Sequence, residues 1–306
     1  MNEITLFCPA TVANLSCGFD VLGLCLEGIG DEMIIRKSPE KGLRITRITG
    51  ADLPLETEKN VAGVAGMALL KTLDLEFGFE MEIHKKIKAG SGIGSSSASA
   101  AGAVVGINEL LGKPFSRKEL IPFAMEGEFL ASGGYHADNV APALLGGITL
   151  IKGYEPLEVL SLPVPEELFV VIIHPLIEVK TADARAVLPK ELPLKTAITQ
   201  WGNLSGFVHA LHTNDYDLMG RCLIDVVAEP YRKALIPGFE EVQKIALEHG
   251  ALGCGISGSG PSIFILFKRQ NFEESFINEI SKLYNKLQIL THTYTTNIST
   301  NGTYIS

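Results

Sequence analysis

"KAGSGIGSSSASAAGAVVG", residues 88–106, sets glycine at 90, 92 and 94, then three serines, then a run of small apolar residues. Glycine lets the backbone turn tightly and approach a ligand with no Cβ in the way. The serine-led helix behind it offers free N–H groups and the positive end of its dipole, equivalent to about half a charge. The stretch predicts a phosphate-cradling loop feeding a helix from Ser95 to Leu111, stopped by Gly112-Lys113-Pro114. It is not a P-loop, because no Gly-Lys-Ser/Thr follows, and Ser95 stands where a dinucleotide fingerprint needs its last glycine. On its own the stretch leaves a structural glycine turn as the lesser alternative.

The chain around it has 306 residues, 46% hydrophobic and 20% charged, enough for two domains or one large one. A net charge of −9 argues against a nucleic-acid binder, whose partners select basic faces. Cys8, Cys17, Cys25, Cys222 and Cys254 form no CxxC pair and no metal-ligand spacing, which reads as inert thiols in a reducing compartment. No secretory signal opens the chain, and its apolar runs, such as "LFVVII" at 168–173, are strand-length. A cytoplasmic protein without membrane partners is expected.

Strand and helix patterns interleave. "EMIIRKS" and "LRITRI" read as strands about a Lys41-Gly42 turn, and "FEMEIHKKI" as a strand before the glycine loop. Ser116 and Glu119 form a capping box, predicting a second helix from Ser116 to the Gly133-Gly134 stop. "GGITLI" is a strand, and "EPLEVLSLPVPEEL" a proline-dotted stretch. The pattern restarts at "FVVIIHP", with helices near 194–213, 238–250 and 272–286, strands at "ALGCGIS" and "PSIFILF", and two short strands at the end. This is an α+β chain of two domains, 1–163 and 164–306.

Two further stretches carry chemistry. "CPATVANLSCGFDVLGLCLEG", 8–28, breaks a strand into a loop holding Asn14 and Asp20, either Asx turns or ligands. "GCGISGSGPSIFIL", 253–266, is a second glycine–serine loop, either a linker or a wall of a site. In this order and spacing the three stretches resemble the signature segments of the GHMP kinases, across the whole chain. The first stretch, "HADNVAPALLGG" at 136–147 and the tail "NGTYIS" resemble the branch that phosphorylates homoserine. Ile93, Ser16-Cys17 and Thr303 depart from that branch's usual residues, and none removes a polar group the chemistry needs.

The resemblance implies an N-terminal domain like domain 2 of ribosomal protein S5, with a left-handed βαβ crossover, and a ferredoxin-like C-terminal domain. It implies ATP-dependent phosphorylation of L-homoserine, or of another small alcohol or hydroxy acid, by a homodimer with no nucleic-acid partner. ATP would lie on Lys88, Ala89, Gly90, Ser91, Gly92, Ile93, Gly94, Ser95, Ser96 and Ser97, with Mg²⁺ on Ser96 and Glu128, Glu126 being the rival carboxylate. Asp20 and Asn14 would meet the substrate ammonium, and Arg185 and Arg232 its carboxylate. His136, Asn139, Thr181 and Gly258 would complete the pocket, with Asn139 nearest the accepting hydroxyl and Asn14 beside it. An amide is no proton acceptor near pH 7, so positioning and electrostatics are expected to dominate. Asp138 is set aside, since neighbours in a loop usually point apart.

Overall fold

The computed structural model describes residues 1–306. Strand β1 (Glu3–Ala13) pairs antiparallel with the long β2 (Leu22–Ser38), and the register slips between Pro9 and Thr11. β3 (Gly42–Thr49) and β4 (Gly78–His84) pair in parallel, with α1 (Val61–Leu70) between them in the chain. The main path of this sheet also takes in the last strand, β11 (Tyr304–Ile305), in the order β11-β1-β2-β4-β3. β5 (Ile148–Tyr154) joins β2 further along, and β6 (Leu157–Leu162) joins β5.

Helix α2 (Ser95–Leu110) lies close on β1 and β2 because its residues are small. A Cβ at Gly102 would come 2.5 Å from Cys8 Sγ, and one at Gly106 2.4 Å from Ile35 Cδ1. Helix α3 (Ile121–Ser132) packs beside α1, and Gly127 is needed where a Cβ would stand 2.5 Å from the Val61 carbonyl. The expected start at Ser116 is corrected by five residues. The capping box does form, with Ser116 N–H on Glu119 at 2.7 Å, but it caps a turn. Pro122, lacking an N–H, cannot bond back to Lys118 and carry that turn on as helix. α4 (Val140–Leu145) follows.

The second sheet runs β10 (Thr291–Asn297), β7 (Leu168–Pro175), β9 (Ile263–Lys268), β8 (Gly253–Ile256), all antiparallel. With strands numbered from β7 that is order 4-1-3-2, the ferredoxin-like arrangement. Val171, Ile173, Ile263 and Ile265 pack under α9 (Phe239–Glu248) and α10 (Glu274–Lys286). Val170, Ile172, Phe264 and Leu266 face the other way, into the core shared with the first sheet and with α6 (Leu194–Thr213). Burial on both faces is why these strands read as unbroken apolar runs. α5 (Thr181–Ala186), α7 (Tyr216–Cys222) and α8 (Glu229–Arg232) complete the chain. All five cysteines are free and buried, and no helix is long and apolar enough to cross a membrane.

Candidate active site

The glycine loop forms one wall of a cavity of about 360 Å³. Ala89, Gly90, Ser91, Gly92, Gly94, Ser95 and Ser96 line it. Gly90, Gly92 and Gly94 stand at φ of 73°, 81° and 70°, so the alternation in the sequence answers a run of left-handed turns. Three residues expected on the nucleotide do not reach the cavity. Lys88 is exposed outside its lining, Ile93 is drawn into the core at 2% exposure, and Ser97 turns to Glu128.

Glu128 reaches the cavity from α3. The Ser96 and Ser97 hydroxyls donate to its Oε2 at 2.8 and 2.9 Å. Burial pushes its carboxyl above the ordinary range, against hydrogen bonds from Ser96, Ser97 and Ser132. Glu126 points to solvent and accepts from the Tyr135 hydroxyl at 3.3 Å. Roughly 200° of helix rotation separates residues two apart, which sends one carboxylate inward and the other out. The Ser96 hydroxyl and Glu128 carboxylate are hard oxygen donors beside the phosphate loop. Such a pair fits Mg²⁺, which takes one or two carboxylates and completes its shell with water and substrate phosphate.

The loop after β1 forms the opposite wall. Asn14, Leu15, Ser16 and Asp20 have φ of 75°, 42°, 54° and 58°. Asn and Asp tolerate this region better than other residues with a Cβ. Asn14 Oδ1 accepts the Asp20 N–H at 3.0 Å, while its Nδ2 donates to the Gly258 carbonyl at 2.7 Å. Both Asp20 carboxylate oxygens accept from one Arg185 nitrogen, at 3.0 and 3.1 Å. The two residues expected at the ammonium and the carboxylate of a substrate thus pair with each other in this structure. The same nitrogen lies 3.0 Å from His136 Nε2, and burial, then the Arg185 charge, hold that imidazole below its ordinary pKa.

Arg232, 4% exposed, donates to the carbonyls of Ala184 at 2.9 Å and Gly258 at 3.1 Å and stacks 4.9 Å from the Phe19 ring centre. Thr181 Oγ1 is 3.4 Å from Ser259 Oγ, and Asn139 Oδ1 accepts from Thr11 Oγ1 at 2.7 Å. All eight residues expected around the substrate line the cavity. The second glycine–serine loop braces the first: Ser257 Oγ donates to Gly92 O at 2.7 Å, and Ser262 Oγ to Ser91 O at 2.6 Å.

The sequence reading missed Asn60, Lys85 and Ser99, and wrongly set Asp138 aside; all four line the cavity. Asp138 and Asn139 sit in a helical turn at the start of α4, where successive side chains are about 100° apart, so both can face one cavity. Burial, with Asp20 and Glu128 nearby, pushes the Asp138 carboxyl up to about 7. Lys85 had a signal: in "FEMEIHKKI" it shares the inward register of Met81, Ile83 and Ile87, a charge where the alternation calls for an apolar residue.

Known proteins are similar to this chain in sequence and fold. The family model described as "GHMP kinases N terminal domain" matches residues 58–147, and "GHMP kinases C terminal" matches residues 207–286. The homoserine kinase of Chlorobium phaeobacteroides (strain BS1) is 48% identical over 276 residues, 86% of either chain. That of Chloroherpeton thalassium is 43% identical over 303 residues, 95% of either chain. The crystal structure of homoserine kinase from Cytophaga hutchinsonii superposes with a TM-score of 0.96 at 49% identity, covering 100% of this chain and 98% of that one.

Proposed function

The chain belongs to the GHMP kinases, and we propose that it transfers the γ-phosphoryl group of ATP to the hydroxyl of L-homoserine. The observation that carries this reading is the charge pattern of the cavity. A carboxylate, Asp20, and two guanidiniums, Arg185 and Arg232, face the space beside the glycine cradle. A small zwitterion fits that pattern. Its ammonium takes the place of Arg185 at Asp20, and its carboxylate takes the place of Asp20 at Arg185. The exchange leaves neither Asp20 nor Arg185 unpaired. A hydroxy acid without an ammonium would strand Asp20, so the alternative acceptors are disfavoured.

The backbone N–H groups of Gly92, Gly94, Ser95 and Ser96, at the N-terminus of α2, hold the phosphates. Ser96 and Glu128 are the residues that would hold Mg²⁺, which when bound neutralises charge on the phosphate oxygens. Asn139 orients the hydroxyl for in-line attack, and the proton leaves late, to a phosphate oxygen, as a loose transition state permits. In this reading the protein works as a homodimer, following its family.

ADP release tests the reading, with L-homoserine, mevalonate and amino alcohols lacking a carboxylate, each with and without Mg²⁺. Turnover with homoserine and Mg²⁺ on the order of 1–100 s⁻¹ is expected. Activity on mevalonate and none on homoserine would refute it.

A further inference from the structure

Lys85 and Asp31 form an ion pair in which both side chains are 2% exposed. A buried pair survives only when its remaining donors and acceptors are met, and here the partners lie on the two segments that flank the glycine loop. Lys85 Nζ also donates to the Ser95 carbonyl at 2.9 Å and to Ser99 Oγ at 3.0 Å, both in the first turns of α2. Its three ammonium hydrogens are thereby used. Asp31 Oδ1 accepts the backbone N–H of Lys86 at 2.6 Å and of Ile87 at 2.8 Å. Ser95 Oγ closes the ring with a bond to the Ile87 carbonyl at 3.1 Å. Asp31 thus holds the chain where it enters the loop, and Lys85 holds it where it leaves. The charge that a P-loop lysine would bring to the ligand is spent behind the loop.

We propose that the Asp31–Lys85 pair positions the nucleotide site, fixing both ends of the loop so that its N–H groups stand ready for phosphate. The inference rests on the reading of residues 90–97 as the ATP cradle. A loop ordered beforehand binds more tightly because the ligand need not offset its ordering. Asp31 lies outside the cavity lining, and Lys85, at its edge, has all three ammonium hydrogens bound within the protein, so both act through the loop.

The test compares wild type with Lys85→Met and with the double variant Asp31→Asn/Lys85→Met, by thermal melting and calorimetric titration of ATP with Mg²⁺ and of homoserine. The single variant leaves a buried carboxylate unpaired and loses both stability and ATP affinity. The double variant leaves no unpaired charge, and the asparagine oxygen can still accept from Lys86 and Ile87. It should recover melting temperature, bind ATP about tenfold more weakly or worse, and bind homoserine within about twofold of wild type. The KM for ATP should rise while that for homoserine holds. Full recovery of ATP affinity in the double variant would make the pair merely structural and overturn the proposal, and so would a double variant that cannot fold. A wild-type protein that binds no ATP fails the kinase reading itself, and takes this inference with it.

Discussion

Asp20 sits at φ 58° with its N–H on Asn14 and its carboxylate on Arg185. Asparagine accepts the same left-handed backbone and keeps one acceptor oxygen, so Asp20→Asn removes charge without disturbing the loop. A hydrogen bond between charged groups is worth about 1.5–3 kcal/mol. Against that, wild type must first open a half-exposed ion pair worth about 0–1 kcal/mol. Homoserine affinity should therefore fall by about 0.5–3 kcal/mol, roughly 2–150-fold, while ATP affinity, set by the cradle, is unchanged. Calorimetric titration of both ligands reads this directly, and equal homoserine affinity in the two proteins would remove Asp20 from the ammonium site. The sequence left Asn14 and Asp20 open between turn residues and ligands, and the structure gives both the turn geometry and a place on the cavity wall. That only one of Glu126 and Glu128 faces the cavity was also legible, because helix rotation separates them, while the choice of Glu128 came from the resemblance and its spacing to "HADN". The mutual pairing of Asp20 and Arg185 was not, since 165 residues divide them and only the packed chain sets their distance.

Among the elements, the two glycine–serine loops depend on each other. A Cβ at Gly92 would stand 2.6 Å from the Gly260 carbonyl oxygen and 2.8 Å from that of Ser257, at φ 81°. Backbone cannot yield as a flexible side chain can, so Gly92→Ala must part the loops. Gly112, beyond the end of α2, has φ 83° with nothing within 4 Å of an added Cβ. There alanine costs only the left-handed strain, about 1–2 kcal/mol. In denaturant titrations Gly92→Ala should cost about 3 kcal/mol or more and weaken ATP binding, while Gly112→Ala leaves ligand affinities unchanged. Equal effects at the two positions would show that the loops do not brace each other. Helices α2 and α6 were legible because their composition and stops agree. Helix α1 escaped because "VAGVAGMALL" is apolar all round and holds two glycines, which argues against a helix until its packing is seen. A Cβ at Gly66 would lie 2.6 Å from Leu43 Cδ2, so close packing required that glycine. Strand β6 hid between Pro156 and Pro163, which made its surroundings read as a linker.

At the scale of the whole molecule, placing charged groups around a cavity between two sheets leaves a mark on stability. Local patterns could place strands and helices, but the parallel β3–β4 pair and the return of β11 to β1 are long-range pairings that came only through resemblance or from the structure itself. Burial in the packed chain withholds water from carboxyls that the unfolded chain exposes. Asp138 and Glu229 are each pushed up to about 7, chiefly by burial. For such a group the native state binds the proton more tightly than the unfolded chain, whose carboxyl titrates near 4. Stability from this source is present below about pH 4 and is lost as pH rises toward 7. His174 works in the opposite sense: burial lowers it to about 4, so stability is lost as pH falls from about 6.5 toward 4. Asp138→Asn deletes one rising-pH loss, and its amide oxygen can still accept from backbone N–H groups. Relative to wild type, the variant should gain several degrees of melting temperature at pH 8 and much less at pH 4.5, the difference growing across the interval between. Glu229 remains, so the pH dependence shrinks without vanishing. Melting curves at half-unit pH steps decide it. A variant-minus-wild-type difference that stays flat from pH 4.5 to 8 would mean that Asp138 ionises in the native state as readily as in the unfolded chain.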